Sequence, residues 1–153
     1  MIEPARTDDV SAISAVLAAN QGYNVAAHIG DFLVARDDAR RVVGCAALQK
    51  FSRRLGEILS VAVLPAMQGQ GIGAALVHAC EQRAADRGLK RVFLMTAKPR
   101  YFARLGYRRI ALWSLPSRVL LAKLRPVFYQ EPSRWWPSLA GRYTFLAKSL
   151  NAA

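Results

Sequence analysis

The sequence predicts a mixed α/β fold, because a strand–helix–strand unit spans residues 57–95. Ile58–Leu64 is a long apolar run that ends at Pro65, and Val92–Met95 is a second strand of buried character. Between them, apolar residues recur at the i, i+3, i+4, i+7 and i+8 positions of an amphipathic helix, namely Ile72, Ala75, Leu76, Ala79 and Cys80. Two consecutive strands joined through a helix are expected to run parallel, which makes the class mixed α/β.

The other predicted elements are short and are separated by polar turns. Thr7–Asp9 carries hydroxyl and carboxylate groups that suit a helix start, and a polar turn over Arg36–Arg41 joins two β-rich runs into a hairpin. Gly88 suits the end of the long helix. In chain order, the remaining predictions are strand Ile2–Arg6, a helix containing Val10–Leu17, strands Phe32–Ala35 and Val42–Leu48, helix Arg100–Leu105, strand Tyr107–Leu112, a helix containing Leu120, Leu121 and Leu124, and strand Arg142–Ala147.

Length and composition favour one domain in the cytoplasm. The 153 residues are 53% apolar, which is enough to bury a core, so we expect a single domain over 1–153 with 110–142 as an insertion or extension before the last strand. No run approaches the roughly 18 apolar residues of a membrane span, and the first residues lack a secretory signal layout. Cys45 and Cys80 lie in apolar stretches, as buried thiols of a reducing compartment do.

The net charge of +12 is concentrated in the second half of the chain. Residues 1–56 carry +1, residues 57–110 carry +6 and residues 111–153 carry +5. A field of this sign attracts polyanions, which include nucleic acid, an anionic membrane surface and a phosphorylated cofactor. An ordinary solvated basic surface explains the same charge.

A glycine-rich turn at the start of the long helix is the main candidate for a binding site. Gly69, Gly71 and Gly73 follow directly on the Ile58–Leu64 strand. Glycines allow a ligand to approach the backbone, and a helix N-terminus favours a phosphate or pyrophosphate. Tight packing is the alternative explanation for these glycines. The turn lacks the Gly-Lys-Ser/Thr of nucleotide hydrolases, and it fits the dinucleotide-binding fingerprint poorly because Thr96 follows the next strand instead of an acidic residue.

Two linked motifs resemble a known family. The first is Gln68-x-x-Gly71-x-Gly73 after a Val-Ala-Val strand, and the second is the run Tyr-Phe-Ala-Arg-Leu-Gly-Tyr at 101–107. Together they resemble the GNAT superfamily of acetyl-CoA-dependent N-acyltransferases, over roughly residues 2–110. The run from Met95 to Gly106 is similar to the subgroup that includes N-acetylglutamate synthase-like and arsenic-resistance-associated members. The resemblance implies a three-layer fold with a mixed, mostly antiparallel, twisted sheet, a central parallel strand pair and flanking helices.

The resemblance also implies where acetyl-CoA would bind. Backbone groups of Val61, Ala62 and Val63 would hydrogen-bond the pantetheine arm as an added strand, and an amide near Ala62 or Val63 would polarise the thioester carbonyl. The pyrophosphate would be held by the backbone N–H groups of Gln68, Gly69, Gln70, Gly71, Ile72, Gly73 and Ala74. The implied reaction is direct transfer, and the sequence shows neither a nucleophile motif nor metal-ligand spacing, so we expect no metal.

Glu57 and Tyr101 are the candidate catalytic residues. Glu57 resembles a glutamate that some family members use as general base, and its apolar neighbours would raise its pKa. A chain of water molecules is the alternative, as in many relatives, and a charged residue at a strand entrance needs no catalytic role. In many family members a tyrosine acts as the general acid that protonates the leaving thiolate, and the matching position here is Phe102. Phe102 is expected to line the pocket instead, so the neighbouring Tyr101 is the candidate general acid. The thiolate also leaves without help, since a comparable thiol has a pKa near 8.5.

The expected acceptor is a primary amine on a small molecule, for example an amino-acid-like one whose carboxylate meets Lys98, Arg100 or Arg118. The aromatic and basic segment 111–142 lies where family members often place a substrate-covering element. This segment has two alternative roles. It could pack as an apolar layer at a homodimer interface, or it could contact an anionic membrane.

A different class of function stays open at this point. The alternative is a module of the same fold that binds nucleic acid or another anionic surface, or an enzyme that acetylates an amine on tRNA or protein. The aromatic residues cluster with prolines instead of interleaving with basic residues, which disfavours the nucleic-acid module.

Overall fold

The computed structural model describes residues 1–20, 28–121 and 143–150, and their contacts group them into two compact units. The first unit contains residues 1–92 together with Leu150, and the second contains residues 93–149. In the part of the chain that is described, seven strands form a mixed sheet with one parallel pair. The predicted α/β class is therefore confirmed, whereas the single domain stays a prediction.

The first unit is built on four antiparallel strands that follow one another in chain order. The predicted hairpin is confirmed, since Leu33 lies opposite Ala46 and Val34 lies opposite Cys45. A fifth strand begins in this unit and continues into the second. The strands are β1 (Ile2–Pro4), β2 (Phe32–Arg36), β3 (Val42–Lys50), β4 (Leu55–Val63) and β5 (Arg91–Thr96).

Two helices, α1 (Val10–Ala19) and α2 (Ile72–Asp86), pack on opposite faces of β3. Cys45 belongs to the buried cluster that includes Val16 of α1. The preceding residue, Gly44, faces α2, and a Cβ placed on it would lie only 3.1 Å from Leu76 Cδ1. Successive residues of a strand point to opposite faces, so α1 and α2 enclose this part of the sheet between them.

The second unit contains two elements whose predicted bounds were wrong. The strand predicted over Tyr107–Leu112 is only Arg108–Arg109 (β6), because the Tyr107 N–H bonds to Phe102 O and Leu112–Ser114 form a 3₁₀ turn. The last strand, predicted as Arg142–Ala147, is Thr144–Ser149 (β7).

Helix α3 (Pro99–Arg104) of the second unit confirms the predicted short helix. Its end is marked by Gly106, whose φ of +87° is favourable for glycine. A further helix covers 117–121, and its predicted continuation through Leu124 and Arg125 lies outside the described residues.

A cluster of partly buried charges lies at the edge of the sheet in the first unit. Arg36 Nε lies 2.6 Å from Glu3 Oε1, and Arg36 Nη2 lies 2.9 Å from both carboxylate oxygens of Asp9. Hydrogen bonding to Arg36 lowers the pKa of Glu3. Burial opposes ionisation of Asp9, but hydrogen bonds from the Arg6 N–H and from Arg36 outweigh it and lower the pKa of that carboxyl. The cluster therefore favours the folded state when both carboxylates are ionised.

Arg36→Gln should lower the melting temperature by several degrees at pH 7, because two carboxylates lose their partner. The lowered pKa values mean that this stabilisation is complete above the unfolded-state values, about 4. It disappears as the pH falls through the folded-state values, so parent and variant should converge in acid. Arg41→Gln is the matched control, since its pair with Asp37 leaves Arg41 largely exposed. Thermal unfolding from pH 7 to pH 3 would test this, and a deficit independent of pH would contradict it.

Candidate active site

Strand β4 carries a bulge at its centre. Cys45 of β3 lies opposite Ala62, but Ala47 lies opposite Leu59, so two residues of β4, Ser60 and Val61, face Ala46. Ser60 has a φ of +54°, a left-handed conformation that is uncommon for serine. Residues 59–61 are half-buried, whereas the rest of β4 is buried. The bulge therefore interrupts a buried strand at the point where it becomes accessible.

The strand register shows which backbone groups at the end of β4 point away from β3. The Leu64 N–H bonds to Val43 O at 2.8 Å, so the facing residues Gly44 and Val63 form a pair without mutual hydrogen bonds. The backbone groups of Val63 consequently point away from β3. Those of Ala62 point toward β3.

Two side-chain amides hold the end of β4. The Val63 carbonyl accepts hydrogen bonds from Asn20 Nδ2 and from Gln68 Nε2, each at 3.0 Å. Gln68 Nε2 also donates to Asn20 Oδ1 at 3.1 Å. The sequence interpretation missed Asn20, although a polar residue directly after a helical pattern is a known C-cap signal. We call Asn20, Gln68 and the Val63 carbonyl the amide clamp.

The glycine turn after β4 is open and ends in the N-terminus of α2. Gly69 and Gly71 have φ values of +79° and +78°, and a Cβ on either would meet no atom within 4 Å. Gly71 is the N-cap of α2, so the N–H groups of Ile72, Gly73 and Ala74 have no partner within the helix. The first turn of α2 carries no acidic side chain. This arrangement is suited to a bound anion.

Glu57 lies inside β4, where it is only 2% exposed and faces Gln49 of β3. Alternation along the strand places it on the same face as Leu59, which packs against the cluster containing α1. Its position confirms neither the general base nor the purely structural alternative.

Tyr101 and Phe102 of α3 differ in exposure. Tyr101 is 38% exposed, and partial burial raises the pKa of its phenol. Phe102 is 7% exposed and packs edge-on against Tyr107, with ring centroids 5.9 Å apart. Phe102 is thus part of the core of the second unit, and Tyr101 presents the accessible hydroxyl.

The basic residues proposed to meet a carboxylate all belong to the second unit. Lys98, Arg100 and Arg118 are exposed. Residues 93–149 contain eleven basic residues and one acidic residue, so this unit carries +10 of the net +12. The charge excess predicted from the sequence is therefore a property of one unit rather than of the whole chain.

The two cysteines are free thiols. Cys45 and Cys80 are buried, and burial raises the pKa of each to about 12. Within the described ranges, no group of three or more histidine, cysteine, aspartate or glutamate residues could hold a metal ion. Over the same residues, no helix has the length and apolar character that crossing a bilayer requires.

Comparison with known proteins identifies the family. The family model described as "Acetyltransferase (GNAT) family" matches residues 8–109. An uncharacterized N-acetyltransferase of Chlorobaculum tepidum is 34% identical over 77% of this chain and 81% of its own length. An amino-acid acetyltransferase of Mycobacterium tuberculosis is 39% identical over 72% of this chain and 69% of its own length.

Solved structures give the same assignment. Rv2747 from Mycobacterium tuberculosis, in complex with CoA, is 32% identical with a TM-score of 0.81, and the match covers 99% of both chains. N-acetylglutamate synthase from Neisseria gonorrhoeae, in complex with coenzyme A and N-acetyl-glutamate, is 26% identical with a TM-score of 0.76. That match covers 99% of this chain and 35% of the synthase. The chain belongs to the GNAT acetyltransferase family, within an N-acetylglutamate synthase-like subgroup.

Proposed function

We propose that this acetyltransferase moves the acetyl group of acetyl-CoA to the amine of a small amino acid. The favoured acceptor is a dicarboxylic amino acid. The observation that carries the proposal is the combination of a bulged strand, an open glycine turn and an uncapped helix N-terminus in consecutive residues, 59–74. An extended amide-containing arm suits the strand, and a diphosphate suits the turn.

The register of β4 refines the cofactor contacts. Val63 offers its N–H, whereas its carbonyl is already used by the amide clamp. Val61 lies in the bulge and stays a proposed contact of the pantetheine arm. The backbone N–H and C=O of Ala62 point toward β3, so we propose that Ala62 does not contact the cofactor and only separates Val61 from Val63. The N–H groups of 69–74 take the diphosphate, whereas the Gln68 N–H, also expected there from the sequence, is bonded to Pro65 O. When bound, acetyl-CoA supplies an activated acetyl thioester, and an N–H of β4 stabilises the negative charge on its carbonyl oxygen.

Glu57 is assigned as the proton acceptor and Tyr101 as the proton donor. The ammonium form of an amine has no lone pair for attack, so its proton must first be removed, and a carboxylate can accept that proton directly or through water. The protonated phenol of Tyr101 is assigned to the departing thiolate. Support for these roles is the burial of Glu57 in β4 and the exposure of Tyr101 on α3.

The acceptor class follows from charge and from relatives. Lys98, Arg100 and Arg118 are exposed on the unit that carries +10, and charge-assisted bonds to a carboxylate are among the stronger polar contacts. The matches include an amino-acid acetyltransferase and a structure in complex with N-acetyl-glutamate. Both support a dicarboxylic amino acid as the acceptor.

The matched relatives are acetyltransferases, which favours catalysis over the binding-module alternative. The two free thiols favour the reducing conditions of the cytoplasm as the site of action. The predicted homodimer rests on the segment 111–142, most of which lies outside the described residues, and it stays a prediction.

An acceptor panel tests the proposal. The purified protein is incubated with acetyl-CoA and, separately, L-glutamate, L-glutamine, neutral amino acids, polyamines and aminoglycosides. Free thiol and acetylated product are measured together, so that thiol release is matched to transfer. The buried cysteines, each with a pKa of about 12, should add little thiol signal. We expect acidic amino acids to react fastest. Exclusive reaction with polyamines would overturn the acceptor class and leave the reaction class intact.

A further inference from the structure

The amide clamp uses the hydrogen-bonding capacity of its members almost completely. Both N–H groups of Asn20 are engaged, since Nδ2 donates to Val16 O at 2.8 Å and to Val63 O. Both N–H groups of Gln68 are engaged as well, by Val63 O and Asn20 Oδ1. The Val63 carbonyl has two lone pairs, and each receives one amide. Such a closed set of bonds permits few alternative arrangements of the three groups.

The clamp joins the end of α1 to two neighbouring segments, the end of β4 and the start of the glycine turn, that lie far from it in sequence. Asn20 is the C-cap of α1, Val63 is the last residue of β4, and Gln68 is the residue before the glycine turn. Asn20 and Gln68 are separated by 48 positions in sequence. The bonds therefore set the position of the turn relative to the strand.

The turn needs such an anchor because its own backbone is permissive. Gly69 and Gly71 both have positive φ and open surroundings, and glycine adopts many conformations at little cost. The backbone bond from the Gln68 N–H to Pro65 O is long, at 3.3 Å. The Gln68 side chain fixes the residue that precedes the turn, which limits the positions that the following N–H groups can take.

We propose that Asn20 and Gln68 act as positioning residues that preorganise the cofactor turn through the Val63 carbonyl. This inference rests on the proposed binding of CoA at residues 61–74. It assigns a function to the Gln68 side chain distinct from that of its backbone N–H. It also assigns a function to Asn20, which lies outside both sequence motifs.

Gln68→Leu and Asn20→Asp test this inference, because each removes amide donors while approximately keeping side-chain size. We expect each variant to bind CoA about tenfold more weakly, since a lost hydrogen bond of ordinary strength corresponds to that factor. The double variant should lose far less than the product of the single losses, because both residues act on one carbonyl. At saturating acetyl-CoA, kcat and the acceptor KM should stay near the parent values.

Gln82→Leu on α2 is the matched control, since that amide bonds only to Asp86 among the contacts described. It should leave CoA affinity unchanged. Parent-like affinity in both clamp variants would overturn the inference. The inference would also be overturned if kcat, acceptor affinity and melting temperature all fell in the clamp variants, because that pattern indicates a general loss of structure. If the parent itself failed to bind CoA in calorimetry, the proposed cofactor site would be wrong, which is a separate outcome.

Discussion

Glu57→Gln should lower kcat by about 10²–10⁴-fold at pH 7, which is the range for a positioned general base. The substitution keeps the shape of the side chain and removes its ability to accept a proton from the amine. CoA affinity should hardly change, because the proposed contacts are backbone groups at residues 61–74. The loss should shrink at alkaline pH, where the acceptor amine is already deprotonated. Steady-state kinetics from pH 7 to pH 10 would measure both effects.

Glu81→Gln provides a matched control for Glu57. Glu81 is also a buried carboxylate of the first unit, but it lies on α2 and contacts His78, with 3.2 Å between Oε2 and Nδ1. Its substitution should leave kcat near the parent value. If Glu57→Gln also kept a near-parent rate at pH 7, water rather than Glu57 would be the proton acceptor. A rate lost equally at every pH would indicate a structural role for Glu57.

The glycine turn and α2 could be predicted from the sequence because their signals are local. The helical spacing of apolar residues and the run of glycines are both visible in consecutive residues. In the structure, the first corresponds to helix Ile72–Asp86 and the second to its N-cap, Gly71, which has a positive φ. The hairpin β2–β3 was predictable for the same reason, since a short polar turn separates two β-rich runs.

The bulge and the amide clamp could not be predicted because they are relations between distant residues. The extra residue at Ser60 is visible only when β4 is aligned with β3, and the bond between Asn20 and Gln68 joins α1 to the turn. β6 was predicted too long because the residue types of 107–112 cannot reveal that the Tyr107 N–H is already bonded to Phe102 O of α3. Local patterns therefore predict the glycine turn as the candidate site, while the strand register and the amide clamp arise from tertiary contacts.

Gly71→Asp should reduce CoA affinity by on the order of 100-fold or more. The new carboxylate would stand at the N-cap of α2, where it repels a diphosphate and competes for the same N–H groups. Gly88→Asp is the matched control, since Gly88 lies just beyond the other end of α2 with a φ of +75° and no atom within 4 Å of a new Cβ. Both variants place aspartate in the same strained conformation in open space, so backbone strain alone should affect them alike.

The pair of variants separates ligand binding from stability. An aspartate near the C-terminus of a helix opposes its dipole, so Gly88→Asp should be at least as destabilised as Gly71→Asp. If anion binding at the N-terminus is the function of the turn, calorimetry will show CoA binding in the parent and in Gly88→Asp, with little binding in Gly71→Asp. Equal affinity in all three proteins would place the diphosphate elsewhere. Equal loss in both variants would trace the effect to strain rather than to charge at the turn.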